Sequence, residues 1–143
     1  MRAIRINPAN VWSDDDFPFS QAVVEPEGQR VHLTGQVAWN AEGQVVGSGD
    51  AKRQTECAID NIGKILAELG GSLSDIVSLT MYYVRDEDLP AIQSVRSRRF
   101  EKPTGPAVTG VKVAALVDPA LLVELTVIAV IPNERFRASM PSS

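Results

Sequence analysis

The stretch KPTGPAVTGVKVAALVDPALLVELTVIAVIP, residues 102–132, says most about how this chain folds. Its prolines and first glycine open it as a loop, and Ala107 to Ala115 follows as a short strand. Asp118-Pro119 predicts a turn, and Leu121 to Ile131 reads as a long, nearly continuous apolar strand. In sequence the two strands look like a hairpin. A single charge, Glu124, interrupts the second strand. A carboxylate buried there without a partner is costly, so Glu124 must face water, a partner or a cleft.

Upstream, Leu89 to Phe100 reads as a helix with Pro90 in its first turn, where proline is tolerated. Leu89, Ile92, Val95 and Phe100 form its inner face, and Arg96, Arg98 and Arg99 are predicted to form a solvated basic face. A polar loop, Arg85 to Asp88, separates this helix from a strand over Ile76 to Val84. Ser72 to Asp75 is a turn. The clearest helix spans Ala51 to Leu69, where Ala58, Ile59, Ile62, Ile65, Leu66 and Leu69 recur at three- and four-residue spacing. Asp50 suits its N-cap, and Gly70-Gly71 suits its end. Cys57 lies off the apolar stripe and is expected to be a packed, unreactive thiol.

The remaining strands lie nearer the N-terminus, at Ala3 to Ile6, Ser20 to Val24 and Arg30 to Val37. Glu25 to Gln29 predicts a hairpin joining the last two. Glu42-Gly43 marks a second tight turn, within Asn40 to Val46. Asn10 to Phe19 is a loop whose Asp14, Asp15 and Asp16 read as solvated, because adjacent aspartates in an extended loop do not converge on a cation. Asn133 to Ser143 reads as a flexible tail. The element order implies an α+β fold, one mixed sheet with both helices packed on one face. In so short a chain the other face needs cover, which a partner subunit would supply.

The 143 residues suit one domain, 1–143, with an N-terminal strand and loop over 1–17 and the tail over 133–143. A net charge of −4 disfavours nucleic acid as a partner. One cysteine and one histidine allow neither an internal disulfide nor a Cys/His zinc cluster, so no metal site is expected. No phosphate loop, dinucleotide fingerprint or nucleophile elbow is present, and no cofactor is expected. His32, in mid-strand, reads as structural. The N-terminus lacks an apolar signal core and no run is long enough to span a membrane, so a cytoplasmic location is expected.

Several segments jointly resemble one known family. They are VHLTGQ at 31–36, AIDNI at 58–62, GSLSDIV at 71–77, GPA at 105–107 and LVELTVIA at 122–129. In this order and spacing the chain, from about Pro18 to Ile131, resembles the Rid or YjgF-type proteins. These are imine deaminase-like and are also known as endoribonuclease L-PSP. The resemblance implies a chorismate-mutase-like fold that forms a homotrimer with a central barrel. It also implies a small-molecule cleft at each subunit interface. In deaminating members an arginine just after the Pro-Ala step grips the substrate carboxylate, and a glutamate on the last strand assists water.

Carried onto this sequence, the resemblance makes Glu124 the catalytic carboxylate. It places Phe19, Thr34, Gly35, Gln93, Val108, Thr109 and Gly110 around the ligand. Phe19 stands where a tyrosine is usual, Val108 where the arginine is, and Gly110 where many members have a cysteine. A bidentate arginine–carboxylate grip makes two charge-assisted hydrogen bonds of about 1.5–3 kcal/mol each. Losing both would weaken carboxylate binding by about two to four powers of ten.

Two functional expectations follow. One is a divergent hydrolase or deaminase acting on an imine-like or other small metabolite, inefficient on 2-iminoacids because of Val108. In it Glu124 acts as the base, helped by apolar neighbours that would raise its pKa. The other is a non-catalytic trimer that binds a small ligand or a protein. RNA cleavage ranks third, given the acidic balance and the lack of a histidine pair.

Overall fold

A computed structural model describes residues 2–14 and 16–138; Asp15 and the last five residues of the predicted tail lie outside the described residues. The elements run β1 (Ile4–Ile6), β2 (Ala22–Val24), β3 (Gln29–His32), α1 (Ala51–Glu68), β4 (Ile76–Tyr83), α2 (Leu89–Arg99), β5 (Ala107–Lys112) and β6 (Val123–Ile131). The predicted α+β order is therefore present, with a mixed sheet and two helices.

The pairing differs from the sequence reading in two places. First, β1 and β2 form their own antiparallel ribbon, while β3 joins the main sheet. The 25–29 segment thus carries the chain between sheets and closes no hairpin. Second, the main sheet runs β3-β6-β4-β5. β5 lies parallel to β4, and β6 lies antiparallel to β4 on its other edge, so β5 and β6 are not neighbours. Parallel neighbours need a long crossover, and α2 supplies it. The predicted strand at 30–37 is shorter than expected: after His32 the chain keeps step with β6 only through single contacts, such as the Gln36–Leu125 bridge.

The sheet's two faces follow from strand periodicity. Leu79 and Met81 of β4 point to the helix side, as do Val123, Leu125, Val127 and Ala129 of β6. They pack in one core with Ala58, Ile59, Ile62 and Leu66 of α1 and with Ile92 and Val95 of α2. Both helices therefore lie on the same face. Fully burying an aliphatic side chain such as Ile59 or Leu66 contributes about 1.5–3 kcal/mol. The alternate residues, Thr80 and Tyr82 of β4, Thr109 of β5, and Glu124 and Thr126 of β6, point to the face away from the helices. No helix of the described residues is long and apolar enough to cross a membrane.

The helix ends form as their sequences predict. The Asp50 side chain accepts a hydrogen bond from the Arg53 amide at 3.1 Å. Gly70, at φ +81, turns the chain after α1, a conformation that favours glycine. The start of the predicted tail is anchored, however. Arg135 reaches buried Asp75 through two hydrogen bonds of 2.6 and 3.0 Å, and the Arg137 amide donates to Leu69 O at 3.0 Å. Fraying from residue 133 is thus corrected: the chain through Arg135 and Arg137 returns onto the end of α1, with Arg135 O packed close to Gly70.

Gln54 links the long connections. It is fully buried in α1. Its Nε2 donates to Gly47 O at 3.2 Å and Ala120 O at 2.9 Å, and its Oε1 accepts from the Leu122 amide at 2.8 Å. One side chain thereby fixes both the entry to α1 and the entry to β6. Gln54→Leu keeps the bulk but strands Ala120 O and the Leu122 amide, while Gly47 O keeps its bond from the Asp50 amide. Leaving a buried polar group unpaired costs about 1–3 kcal/mol. Urea denaturation should show Gln54→Leu destabilised by about 3 kcal/mol; a loss below about 1 kcal/mol would show that the loops hold without it.

Candidate functional site

The predicted site residues separate into two groups on opposite faces of the sheet. On β6, Glu124 lies between the buried Val123 and Leu125 and so points away from the helices. Its strand partner is Tyr82. Beside it runs the segment after β3, held by the Gln36 amide on Leu125 O and the Leu125 amide on Gln36 O at 2.8 and 2.9 Å. Gly35 of that segment approaches Glu124 so closely that a Cβ built there would lie 2.9 Å from the carboxyl carbon. Glycine at 35 therefore makes the room that the carboxylate occupies. Glu124 is half-buried and makes no hydrogen bond or ion pair to any described residue. Thr34 is exposed next to it, and Thr109 is exposed on the same face, across β4.

The second group lies on the helix side, at the β5 edge. Val108 is paired with Leu79 and packs against the core. Gly110 is paired with Met81. Phe19 and Gln93 join them around a pocket of about 390 Å³, together with Phe17, Tyr83 and Arg96. Phe19, Gln93, Val108 and Gly110 are thus brought together, whereas Glu124, Thr34, Gly35 and Thr109 are not part of this pocket. Within one chain Val108 and Glu124 cannot face each other, because they lie on opposite sides of the sheet.

Phe19 is held in place by a close crossing. The Ser20 amide donates to Pro106 O at 2.9 Å, and the Ser20 hydroxyl donates to Gly105 O at 2.7 Å. A Cβ at Gly105 would lie 2.7–2.8 Å from backbone atoms of Pro18 and Phe19. Only glycine permits that crossing. Lys102 completes it: Nζ donates to the carbonyls of Asp14, Phe17 and Phe19 at 3.2, 3.1 and 3.3 Å and sits 4.9 Å from the centre of the Phe19 ring. Trp12 and Phe17 flank Phe19, with ring centroids 5.5 and 6.4 Å away. An aromatic strap thus faces the β5 edge.

Arg96 corrects the predicted solvated basic face. It is only 4% exposed. Its Nη1 contacts the Met81 sulfur at 3.7 Å, and its guanidinium carbon lies 4.9 Å from the centre of the Phe17 ring. Burial pushes its pKa down to about 10, so it remains a cation at neutral pH. Arg98 and Arg99 differ from the prediction too: they pair with Glu56 of α1, and Arg99 also with Asp60. The sequence carried a signal for Arg96. It lies four residues after Ile92 and four before Phe100, on the inward stripe of α2.

A larger groove of about 840 Å³ passes over Trp39, Cys57 and Asn61 and includes Thr34 and Gly35. Cys57 makes a 3.9 Å contact to Trp39 O. Burial, followed by nearby Asp60, pushes its thiol pKa up, which suits a packed thiol and not a nucleophile.

With this geometry in view, the comparisons with known proteins agree. The family model described as endoribonuclease L-PSP matches residues 14–131. A RutC family protein of Pyrococcus abyssi is 35% identical over 112 residues, covering 78% of this chain and 85% of its own length. A 2-iminobutanoate/2-iminopropanoate deaminase of Dermatophagoides farinae is 32% identical over 114 residues, covering 80% of this chain and 86% of its own length. The crystal structure of a Rid family protein of unknown function from Yersinia pestis superposes with a TM-score of 0.84 at 34% identity, covering 92% of this chain and all of that one.

The crossing at Gly105 is testable. Gly105→Ala drives a methyl into backbone atoms that have no side-chain freedom, and overpacking of this kind costs about 1–3 kcal/mol. Equilibrium unfolding should show that loss, accompanied by altered Trp12 fluorescence as the strap lifts. A variant with wild-type stability and emission would remove the crossing as the device that positions Phe19.

Proposed function

Because this chain belongs to the Rid/YjgF family, also described as endoribonuclease L-PSP, we propose that it hydrolyses a carbon–nitrogen double bond in a small metabolite, at a cleft between subunits of a trimer. The observation that carries this reading is the separation of the site residues. Glu124, Thr34 and Gly35 lie on the sheet face that no helix covers, while Phe19, Gln93, Val108 and Gly110 lie behind the β5 edge. Within one chain the carboxylate and the pocket do not meet. A second copy laid against the open face brings one subunit's carboxylate to the other's pocket, and three such contacts close a ring. Relatives named as deaminases support the chemistry.

In this reading the substrate is an imine, or an enamine that first tautomerises to one. Water adds to the carbon of the N-protonated imine while Glu124 accepts the water's proton, which gives a neutral carbinolamine. Glu124 then returns that proton to the nitrogen, the C–N bond breaks as the hydroxyl gives its proton to the departing amine, and the products are a carbonyl compound and an ammonium ion. Glu124 is suited to this role by its position: it is half-buried, next to a glycine that leaves it room, and not committed to any described partner. Thr34 and Thr109 offer hydroxyls on the same face to orient water or the carbinolamine.

Val108 sets a limit. It places an apolar side chain on the β5 wall, so the smallest 2-iminoacids find no guanidinium there, and their turnover is slow compared with that of arginine-bearing relatives. The alternative is a trimer that binds its ligand without turnover, and the same measurements separate the two.

Three measurements check the reading. Solution scattering should give a particle about three times the 15.5 kDa chain mass; a stable monomer would remove the shared cleft. Imine hydrolysis, with the imine generated in place by an amino-acid oxidase, should fall by at least about 100-fold in Glu124→Gln, in line with loss of a general base. An unchanged rate in that variant would exclude Glu124 as the base. Ligand binding with no turnover in the wild type would establish the binding-module alternative.

A further inference from the structure

Arg96 is the buried charge that the proposed hydrolysis leaves unused. It is 4% exposed, and among the described residues no carboxylate lies within ion-pair distance of it. A guanidinium carries five N–H donors. Only one of these has a described acceptor, the soft Met81 sulfur at 3.7 Å. Neighbouring cations are treated differently. Arg98 and Arg99 are neutralised by Glu56 and Asp60 of α1, and Arg85 is paired with Asp88 at 2.7 Å. Lys102 spends its three N–H groups on three carbonyls. Asp14, the one described carboxylate lining the pocket, is exposed and makes no ion pair with Arg96. A desolvated cation without an anion is expensive to keep, and the usual remedy is a partner that arrives from outside.

The surroundings define that partner. Phe17, whose ring lies against the Arg96 guanidinium, lines the pocket together with Phe19, Val108, Tyr83 and Leu89. These groups accept an apolar body and reject a charged one. Gln93, one turn before Arg96 on α2, lines the same pocket and can hydrogen-bond a second oxygen. We propose that this pocket selects organic anions with an apolar body, the anionic group held by Arg96 and the body lying on Phe17, Phe19 and Val108. This deepens the proposed hydrolysis by naming its substrate class, and it rests on that reading for the identity of the ligand site. The cation missing from the β5 strand is thus supplied from the helix behind it. A ligand held by Arg96 lies against Val108, Phe17 and Phe19, which favours larger apolar bodies over the smallest iminoacids.

Binding and turnover are measured apart, so the two readings fail separately. The protein is titrated calorimetrically with phenylacetate, with acetate as the charge without the body, and with 2-phenylethanol as the body without the charge. Phenylacetate should bind about 10- to 100-fold more tightly than either, the range that one or two charge-assisted hydrogen bonds give. Arg96→Met should bring phenylacetate down to the level of 2-phenylethanol while melting at or above the wild-type temperature, because an unpaired buried charge has been removed. Arg96→Lys should retain part of the preference.

Equal binding of phenylacetate and 2-phenylethanol by the wild type would overturn the proposal, as would undiminished phenylacetate binding by Arg96→Met. Should Arg96→Met fail to fold, the wild-type comparison of the three probes still decides. Turnover without this preference would sink the anion site alone, and the preference without turnover would sink the hydrolysis alone.

Discussion

The structure depends on β4 being paired along both edges. Its residues match β5 in parallel on one side and β6 in antiparallel on the other. A strand with two partners has no freedom of register, because a one-residue slip would turn Leu79 and Met81 out of the core and Thr80 and Tyr82 into it. That register fixes which way every residue on β5 and β6 points. Leu79 carries Val108 to the helix side, and Tyr82 carries Glu124 to the other. The distance in sequence between Val108 and Glu124 is small, yet the sheet places them back to back.

Much of the fold was legible in the sequence because its signals are local. The stripe of Ala58, Ile59, Ile62 and Leu66 is a property of one helix, and so is the Asp50 cap. The ends of α1, β4 and α2 fall within a residue or so of where Gly70, Val84 and Phe100 suggest. Strand pairing is a different kind of information. Two apolar strands joined by an Asp-Pro turn look like a hairpin, and nothing within residues 102–132 says that β4 intervenes. The same holds for the turn at 25–29. Pairing is decided by which edges remain once α2 has carried the chain across.

The candidate site shows the same division. Family resemblance names Phe19, Gln93, Val108 and Gly110, and the structure brings those four into one pocket. It does not bring Glu124 to them. What composition hid was the state of each arginine. Arg96, Arg98 and Arg99 look alike in a string, and three arginines within four residues suggest a wet face. Helical geometry separates them: Arg98 and Arg99 point toward α1 and its carboxylates, while Arg96 falls on the stripe between Ile92 and Phe100. The stripe could have been counted, but a charged residue on it is usually discounted.

The placement of Arg96 changes what Val108 means. Read alone, an apolar residue where the family resemblance implies a guanidinium looks like loss of function. With Arg96 in the same pocket, the charge has moved one layer deeper, from the strand to the helix that packs behind it. The aromatic strap is part of that change, since Phe17 covers the guanidinium and Phe19, fixed by Gly105 and Lys102, narrows the approach. A buried cation beside apolar walls is more selective than one in open water. An anion must give up its water to reach it, and only a ligand whose body gains from the apolar wall recovers that cost. In the proposed reading, charge and wall act as one recognition element, built from α2, β5 and the 12–19 segment, and the chemistry falls to Glu124 on the opposite face of the sheet.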